Sequence, residues 1–317
     1  MSQSTTTRST FSPVPDPASA KRTWRVNWLA FIAGLVAWLG MLVLCYPMVA
    51  SWVSQLNQSK VVTNYDTQSQ SKNLVPSAAE QLAAAHRYND ALNSGGFVIP
   101  GQRIPSGNET GTETSSEYNS LLRVDDSGMM GRIQIPSIQV DLPIYHGTSD
   151  ETLLRGIGHL EGTSLPVGGA GTHTVLTGHR GLASATMFTN LNQVKVGDTF
   201  SLTVLGQTIT YRVTSTAVVN PDQTESLRPV AGKDLATLVT CTPLGINTQR
   251  ILVTGERVIP TPTKDVAAAN KKPDVPSFPW WAFIIGGGTG VIVIYEWRSG
   301  MPPKPRPGTP EAGPAPE

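Results

Sequence analysis

The sequence predicts a mainly β fold, a sandwich or closed barrel with a few short helices, flanked by two transmembrane helices. Three observations lead there. Short β-branched stretches alternate with turn residues after Met130. The run Trp28–Tyr46, "WLAFIAGLVAWLGMLVLCY", is uncharged and long enough to span about 30 Å of hydrocarbon. A second apolar run, "FPWWAFIIGGGTGVIVIYEW", follows Pro276.

The composition agrees. Among 317 residues only 15% are charged, while glycine and proline contribute 30 and 25. This suits a tethered β domain with long loops better than a helical enzyme. The net charge of +1 provides no basic field for nucleic acid. Two cysteines are too few for a disulfide framework or a zinc site. There is no P-loop, no GxGxxG, no HExxH and no repeat period.

Taken in order, residues 1–27 read as a disordered cytoplasmic tail and 28–46 as a transmembrane helix. A cleaved signal peptide is the alternative, but its apolar core would be unusually long and "MVAS" is a poor cleavage site. Residues 47–75 are polar and read as a stalk. Within 76–129, "SAAEQLAAAHRYNDALN" predicts a helix, with Ser77 and Glu80 spaced as a capping box and Leu82, His86 and Leu92 as a partial apolar stripe. Residues 95–116 read as a long loop.

Residues 130–260 carry seven strand-like stretches: "GRIQIP", "IQVDLPIY", "THTVLTGH", "TFSLTVLG", "QTITYRVTSTAVV", "DLATLVTCT" and "QRILVTGERV". "LASATMFTNLNQV" between two of them predicts a short helix. Residues 261–277 form a linker, 278–297 a second transmembrane helix, and 298–317 a Pro-rich cytoplasmic tail. In that second helix Gly286 and Gly290 form a GxxxG, either a packing face or an accident of composition. Its Trp280, Trp281 and Trp297 suit membrane interfaces.

Basic residues set the orientation. Lys21, Arg22 and Arg25 precede the first span, Arg298, Lys304 and Arg306 follow the second, and only Lys60 closely follows the first. Both termini are therefore expected in the cytoplasm, with the β domain extracytoplasmic at the cell membrane.

Cys241, in "TLVTCTP", is the only cysteine of that outside segment. Alternation puts Thr237, Val239 and Cys241 on one face of a strand that ends at the Pro243–Gly245 turn. Two readings stand: an inert buried thiol, or a nucleophile held on a rigid strand end. A nucleophile needs a base or cation to stabilise its thiolate. His179 ends a strand at a Gly-flanked turn, the same kind of position. His173 lies six residues earlier, about 20 Å away along an extended strand. His86, His146 and His159 read as ordinary surface or core histidines. Arg250, nine positions after Cys241, leaves the next loop near it; Arg180 is its rival but would point away from His179.

"TLVTC" with an arginine nine residues on, and "LTGHRG" about sixty residues upstream, resemble the sortase signature. "GRIQIPSIQVDLPIYHGTSDETLLRGIGHLEGTSLPVGGAGTHTVLTGHRGL" is similar to class C, the pilus-assembling sortases of Gram-positive bacteria, and the resemblance covers about 77–260. It implies a sortase-type eight-stranded β-barrel and a cysteine transpeptidase that needs no cofactor. Cys241 would be the nucleophile, His179 the general acid and base, and Arg250 the group that stabilises oxyanion and substrate. The implied partners are proteins with an LPXTG-like sorting signal, cut between Thr and Gly, and an amine acceptor on a pilin lysine or a cell-wall peptide. Class C sortases often carry an Asp-Pro-aromatic lid motif, and none occurs between Ala91 and Tyr118. Phe97 is the candidate plug, the alternatives being an open site or a disordered loop.

Overall fold

The computed structural model describes residues 23–71, 73–95, 116–273 and 278–301. The chain divides into two compact units, one of residues 1–45 with 280–317 and one of residues 46–279.

In the first unit, the start of helix α1 (Trp28–Ser69) pairs with helix α6 (Trp280–Ser299). Trp38 Nε1 donates to Thr289 Oγ1 at 3.1 Å and Trp24 Nε1 to the Trp297 carbonyl at 3.1 Å, so the two helices run antiparallel. Among the described residues, α1 is the one helix long and apolar enough to cross a membrane. Helix α6 falls short of that measure because its glycines, Glu296 and Arg298 dilute its apolar residues. The close-packing glycine of α6 is Gly288, whose missing Cβ makes room for Met41, whereas Gly286 and Gly290 face open space. The GxxxG pair is therefore not the packing face.

In the second unit, eight strands close into a barrel in the order β1-β2-β3-β4-β7-β8-β6-β5. The strands are β1 (Met129–Ile135), β2 (Val140–His146), β3 (Ile157–His159), β4 (Thr172–Thr177), β5 (Thr199–Val204), β6 (Gln207–Val219), β7 (Asp234–Thr242) and β8 (Gln249–Arg257). Two neighbouring pairs, β2–β3 and β4–β7, are parallel, and each needs a crossover. The first crossover is helix α4 (Asp150–Arg155), whose N-terminus is capped by Ser149 Oγ on the Thr152 amide at 3.2 Å. Inward side chains such as Ile133, Ile144, Leu176, Leu202, Leu238 and Val253 fill the barrel. Burying each stabilises the fold by about 1.5–3 kcal/mol.

Seven of the strands follow the predicted stretches, and β3 is the addition. Its three residues, "IGH", sit in what reads as a glycine-rich turn, and only pairing with β2 and β4 makes them a strand. The segment 182–194 is not the expected helix. Met187 adopts a left-handed φ of 41° and the Phe188 amide turns back to donate to the His179 carbonyl at 3.0 Å. Only Leu191–Gln193 completes a short 3-10 turn.

The polar stretch after Tyr46 continues α1 through Pro47 as far as Ser69 and packs on the barrel. Tyr65 is buried there, its hydroxyl donating to the Met130 carbonyl at 2.8 Å and accepting from the Leu205 amide at 3.2 Å. That second bond holds Leu205 in a left-handed turn, φ 47°, that a non-glycine residue seldom occupies. Helix α2 (Ala78–Gly95) begins with the expected capping box: the Glu80 amide donates to Ser77 Oγ at 3.3 Å and the Ser77 amide to Glu80 Oε2 at 2.8 Å. Its buried stripe is Leu82, Ala85 and Asn89, with His86 turned to solvent, because Asn89 exchanges two hydrogen bonds with the Leu165 backbone. The short helices α3 (Ser116–Ser120) and α5 (Thr263–Ala269) complete the unit.

Buried Arg132 ties these pieces together. It forms a bidentate pair with Asp141 at 2.6 Å, reaches Asp66 on α1 at 3.3 Å, and donates to the carbonyls of Ala269 and Lys271 at 2.9 and 3.1 Å.

Candidate active site

Strands β4, β7 and β8 are adjacent, and their residues alternate between two faces. Leu176, Leu238, Ile251 and Val253 point into the barrel core. Val175, Val239 and Leu252 point the other way and form a separate outer cluster with Leu227 from the β6–β7 connection. By the same alternation Cys241, Arg250 and His179 belong to that outer face, just beyond the apolar cluster.

Cys241 on β7 is directly opposite Arg250 on β8 in the antiparallel register. On the other side, β4 runs parallel with Thr177 opposite Val239. The Gly178 amide extends that pairing by donating to the Val239 carbonyl at 3.0 Å, and Thr240 Oγ1 donates to the Gly178 carbonyl at 2.7 Å. Cys241 and Arg250 thus share one rung, and His179 follows the end of β4 by two residues, just beyond the last pair of its register with β7.

Glycine at 178 is required locally, since a Cβ there would lie 2.6–2.9 Å from Ile157 and Phe188. Those two side chains pin the turn that carries His179. On the far side, the 243–249 turn is closed by the Ile246 and Asn247 amides on the Pro243 carbonyl at 3.1 and 2.9 Å. Arg250 Nη1 donates to the carbonyls of Asn247 and Gln249 at 2.8 and 2.9 Å, so the turn orients the guanidinium.

Burial governs the titration. Cys241 is 6% exposed, and desolvation raises its thiol pKa while the Arg250 charge pulls it down. His179 is half-buried, and desolvation lowers its pKa while Asp150 at the start of α4 raises it. At neutral pH the pair therefore rests mainly as thiol and neutral imidazole, with the thiolate–imidazolium form in the minority. A nucleophile, a proton carrier and a fixed cation brought together at neighbouring strand ends can perform acyl transfer.

The other candidates have structural employment. Arg180 donates to the Thr189 carbonyl at 3.1 Å and to Thr242 Oγ1 at 2.8 Å, latching the His179 turn to the end of β7. His173 bridges the Arg228 carbonyl at 3.0 Å and Thr237 Oγ1 at 2.7 Å, holding the β6–β7 connection over the outer cluster. His159 is buried between Tyr118 and the Ser164 carbonyl, and desolvation lowers its pKa to about 4. Phe97 lies outside the described residues. Among the described residues no group of three or more His, Cys, Asp or Glu is arranged to hold a metal ion. Sequence reasoning missed Asp150 and Thr240; neither carries a local motif, since both act across strands.

Comparison with known proteins agrees with this geometry. The sortase domain family matches residues 133–258. The chain is 51% identical to the crystal structure of sortase C-1 from Actinomyces oris, covering 57% of this chain and 97% of that one, with a TM-score of 0.52. For sortase C1 from Streptococcus agalactiae the identity is 39%, the coverage 64% and 100%, and the TM-score 0.56. Sortase A of Bacillus anthracis is 31% identical over 135 residues, 43% of this chain and 62% of that protein, so the match spans less than two thirds of its length. A closed eight-stranded barrel with Cys241 and Arg250 opposed on its outer face, matched across nearly the whole of solved class C sortases, makes this chain a member of the sortase family.

Proposed function

We propose that the chain is a membrane-anchored cysteine transpeptidase that cleaves an LPXTG-like sorting signal between Thr and Gly. The observation that carries this reading is the direct cross-strand pairing of Cys241 with Arg250, beside the end of β4 from which His179 follows. The Cys241 thiolate attacks the Thr carbonyl carbon, and the tetrahedral oxyanion is stabilised by the Arg250 guanidinium, a contribution of about 10²–10³ in rate for one such donor. The peptide C–N bond breaks as His179 gives its proton to the departing Gly amine, leaving a thioester on Cys241. An incoming amine then attacks the thioester, loses a proton to His179 and releases the thiolate.

A pilin lysine is the acceptor we favour, giving an isopeptide-linked polymer. Several of the solved structures similar to the chain are sortase C enzymes, and one is described as the pilus-related sortase C of Group B Streptococcus. A cell-wall peptide amine is the alternative acceptor. The apolar start of α1 supports anchoring at the membrane. The antiparallel pairing of α6 with it supports a second span, leaving residues 47–277 extracytoplasmic and both tails cytoplasmic. The test is to incubate the full chain in detergent with an LPXTG-bearing pilin that contains an acceptor lysine. A ladder of SDS-resistant multimers is expected. Cleavage without a ladder overturns polymerisation, and no cleavage overturns the sorting-signal reading.

A further inference from the structure

The barrel wall is incomplete beside the active site. Strand β6 has 13 residues and β5 only 6, so β5 pairs with β6 no further than Arg212. The Val213 amide still donates to the Asp198 carbonyl at 2.8 Å, and its carbonyl accepts from the Gly197 amide at 2.9 Å. The β6–β8 register then shifts between Val213 and Ser215, and a bulge of this kind bends a strand away from its neighbour. From Thr214 to Val218 every residue is exposed, and among the described residues no strand pairs with their other edge.

Alternation fixes which groups point to that edge. The Gly178 amide bonds Val239, so Val239 turns to β4, and Leu238 and Thr240 turn to β8. Their partners Val253 and Ile251 then bond towards β7, and Arg250, Leu252 and Thr254 towards β6. Opposite those three stand Val219, Ala217 and Ser215, which leaves the N–H and C=O groups of Thr216 and Val218 on the open edge. Against the edge lies a hollow of about 180 Å³, lined in part by Leu191, Val194, Val218, Ile251 and Val253. An apolar cavity of about 150 Å³ holds a benzene ring, so the hollow fits one large apolar side chain. Exposed edges are ordinarily blunted by charge, proline or a covering element. The stretch "TSTAVV", Thr214–Val219, has neither charge nor proline.

We propose that this edge binds the amine-acceptor protein, an extended segment of which adds to β6 as a further strand and sets an apolar side chain in the hollow. The inference rests on the transpeptidase reading above. Position identifies the occupant. Val219 is opposite Arg250, and Arg250 is opposite Cys241, so the edge ends level with the thiol. A strand added to β6 lies three strand spacings from β7, about 14 Å. The bond that Cys241 cuts is not on such a strand, so the guest is not the sorting signal. About four extended residues cover that distance and leave a lysine side chain to reach the thioester. The reaction has two polypeptide substrates, and the acceptor is the one that must arrive once the acyl group is in place. Main-chain bonds to Thr216 and Val218 supply affinity, and the hollow selects the side chain.

The test uses the full chain in detergent and a Leu-Pro-Glu-Thr-Gly peptide labelled at its N-terminus as acyl donor. Two acceptors are compared: a pilin that contains an acceptor lysine but no sorting signal, and hydroxylamine, which needs no docking. Thr216→Pro removes an edge N–H that β8 does not use, and Val218→Lys puts a charge on the edge. Both variants are expected to keep hydroxamate formation within about twofold of wild type and to lose about tenfold or more in transfer to the pilin lysine. Pilin transfer within twofold of wild type in both variants overturns the proposal. An equal fall with both acceptors also overturns it, because the edge would then serve the donor or the fold of the site. Loss of a dimer in light scattering with pilin transfer unchanged makes a second copy the occupant and overturns it too. A wild-type chain that forms hydroxamate but no pilin conjugate overturns the pilin-acceptor reading and this inference with it. One that forms no hydroxamate overturns the transpeptidase reading itself.

Discussion

Cys241 on β7 and Arg250 on β8 are cross-strand partners, directly opposed and facing away from the barrel core. The guanidinium is held by two carbonyls of its own turn, so its charge is fixed beside the thiol. Cys241→Ala is expected to abolish thioester formation with a sorting-signal peptide, read as loss of the acyl-enzyme mass by mass spectrometry. Arg250→Gln is expected to lower kcat/KM about 10²–10³-fold. Arg250 also lowers the Cys241 pKa, so its removal raises that pKa further. The midpoint of iodoacetamide alkylation should then move to higher pH; an unmoved midpoint would contradict the pairing.

Asp150 gives the pH dependence a second handle. The proposed mechanism uses thiolate with imidazolium, while burial favours thiol with neutral imidazole. The kcat/KM profile is therefore a bell, its acid limb set by His179 and its alkaline limb by Cys241. The Asp150 carboxylate raises the His179 pKa. Asp150→Asn lowers it, moves the acid limb to lower pH and reduces the plateau, because less imidazolium accompanies the thiolate. A profile superimposable on the wild type would count against this coupling.

Thr240 acts through the backbone. Its hydroxyl holds the Gly178 carbonyl, one residue before His179. Thr240→Val keeps the β-branched shape and removes that bond, at a cost of about 1 kcal/mol in stability. Activity should fall by more than the stability change accounts for, since the His179 turn loses its tie to β7. Thermal unfolding and peptide cleavage on the same preparations separate the two effects.

Arg132 is the corresponding point for the fold. It is 1% exposed and satisfies Asp141, Asp66, the carbonyl of Ala269 at the end of α5 and that of Lys271 just beyond it. Arg132→Met leaves those groups without their cation and should destabilise the barrel unit by about 3–5 kcal/mol, measured by denaturant unfolding of the full chain in detergent. A loss below about 1 kcal/mol would mean that water replaces the guanidinium.

The sequence by itself determined the features whose cause is local. Seven strands declare themselves by β-branched alternation, α2 by its Ser77–Glu80 box, and the start of α1 by its uncharged run. Cys241, His179 and Arg250 stand out in the sequence as candidates because each lies at a strand end beside a turn, and because their motifs resemble those of a family. Tertiary structure decided the features whose cause lies elsewhere in the chain. The three residues of β3 are a strand only because β2 and β4 flank them. Leu205 turns left-handed because Tyr65 accepts its amide, and 182–194 abandons the helix because Phe188 must reach His179. Gly288, not the GxxxG pair, meets α1 because the Trp38–Thr289 bond sets that register. The opposition of Cys241 and Arg250 beside the end of β4 is a matter of register across three strands, and register is an energy of pairing and burial that no single stretch contains.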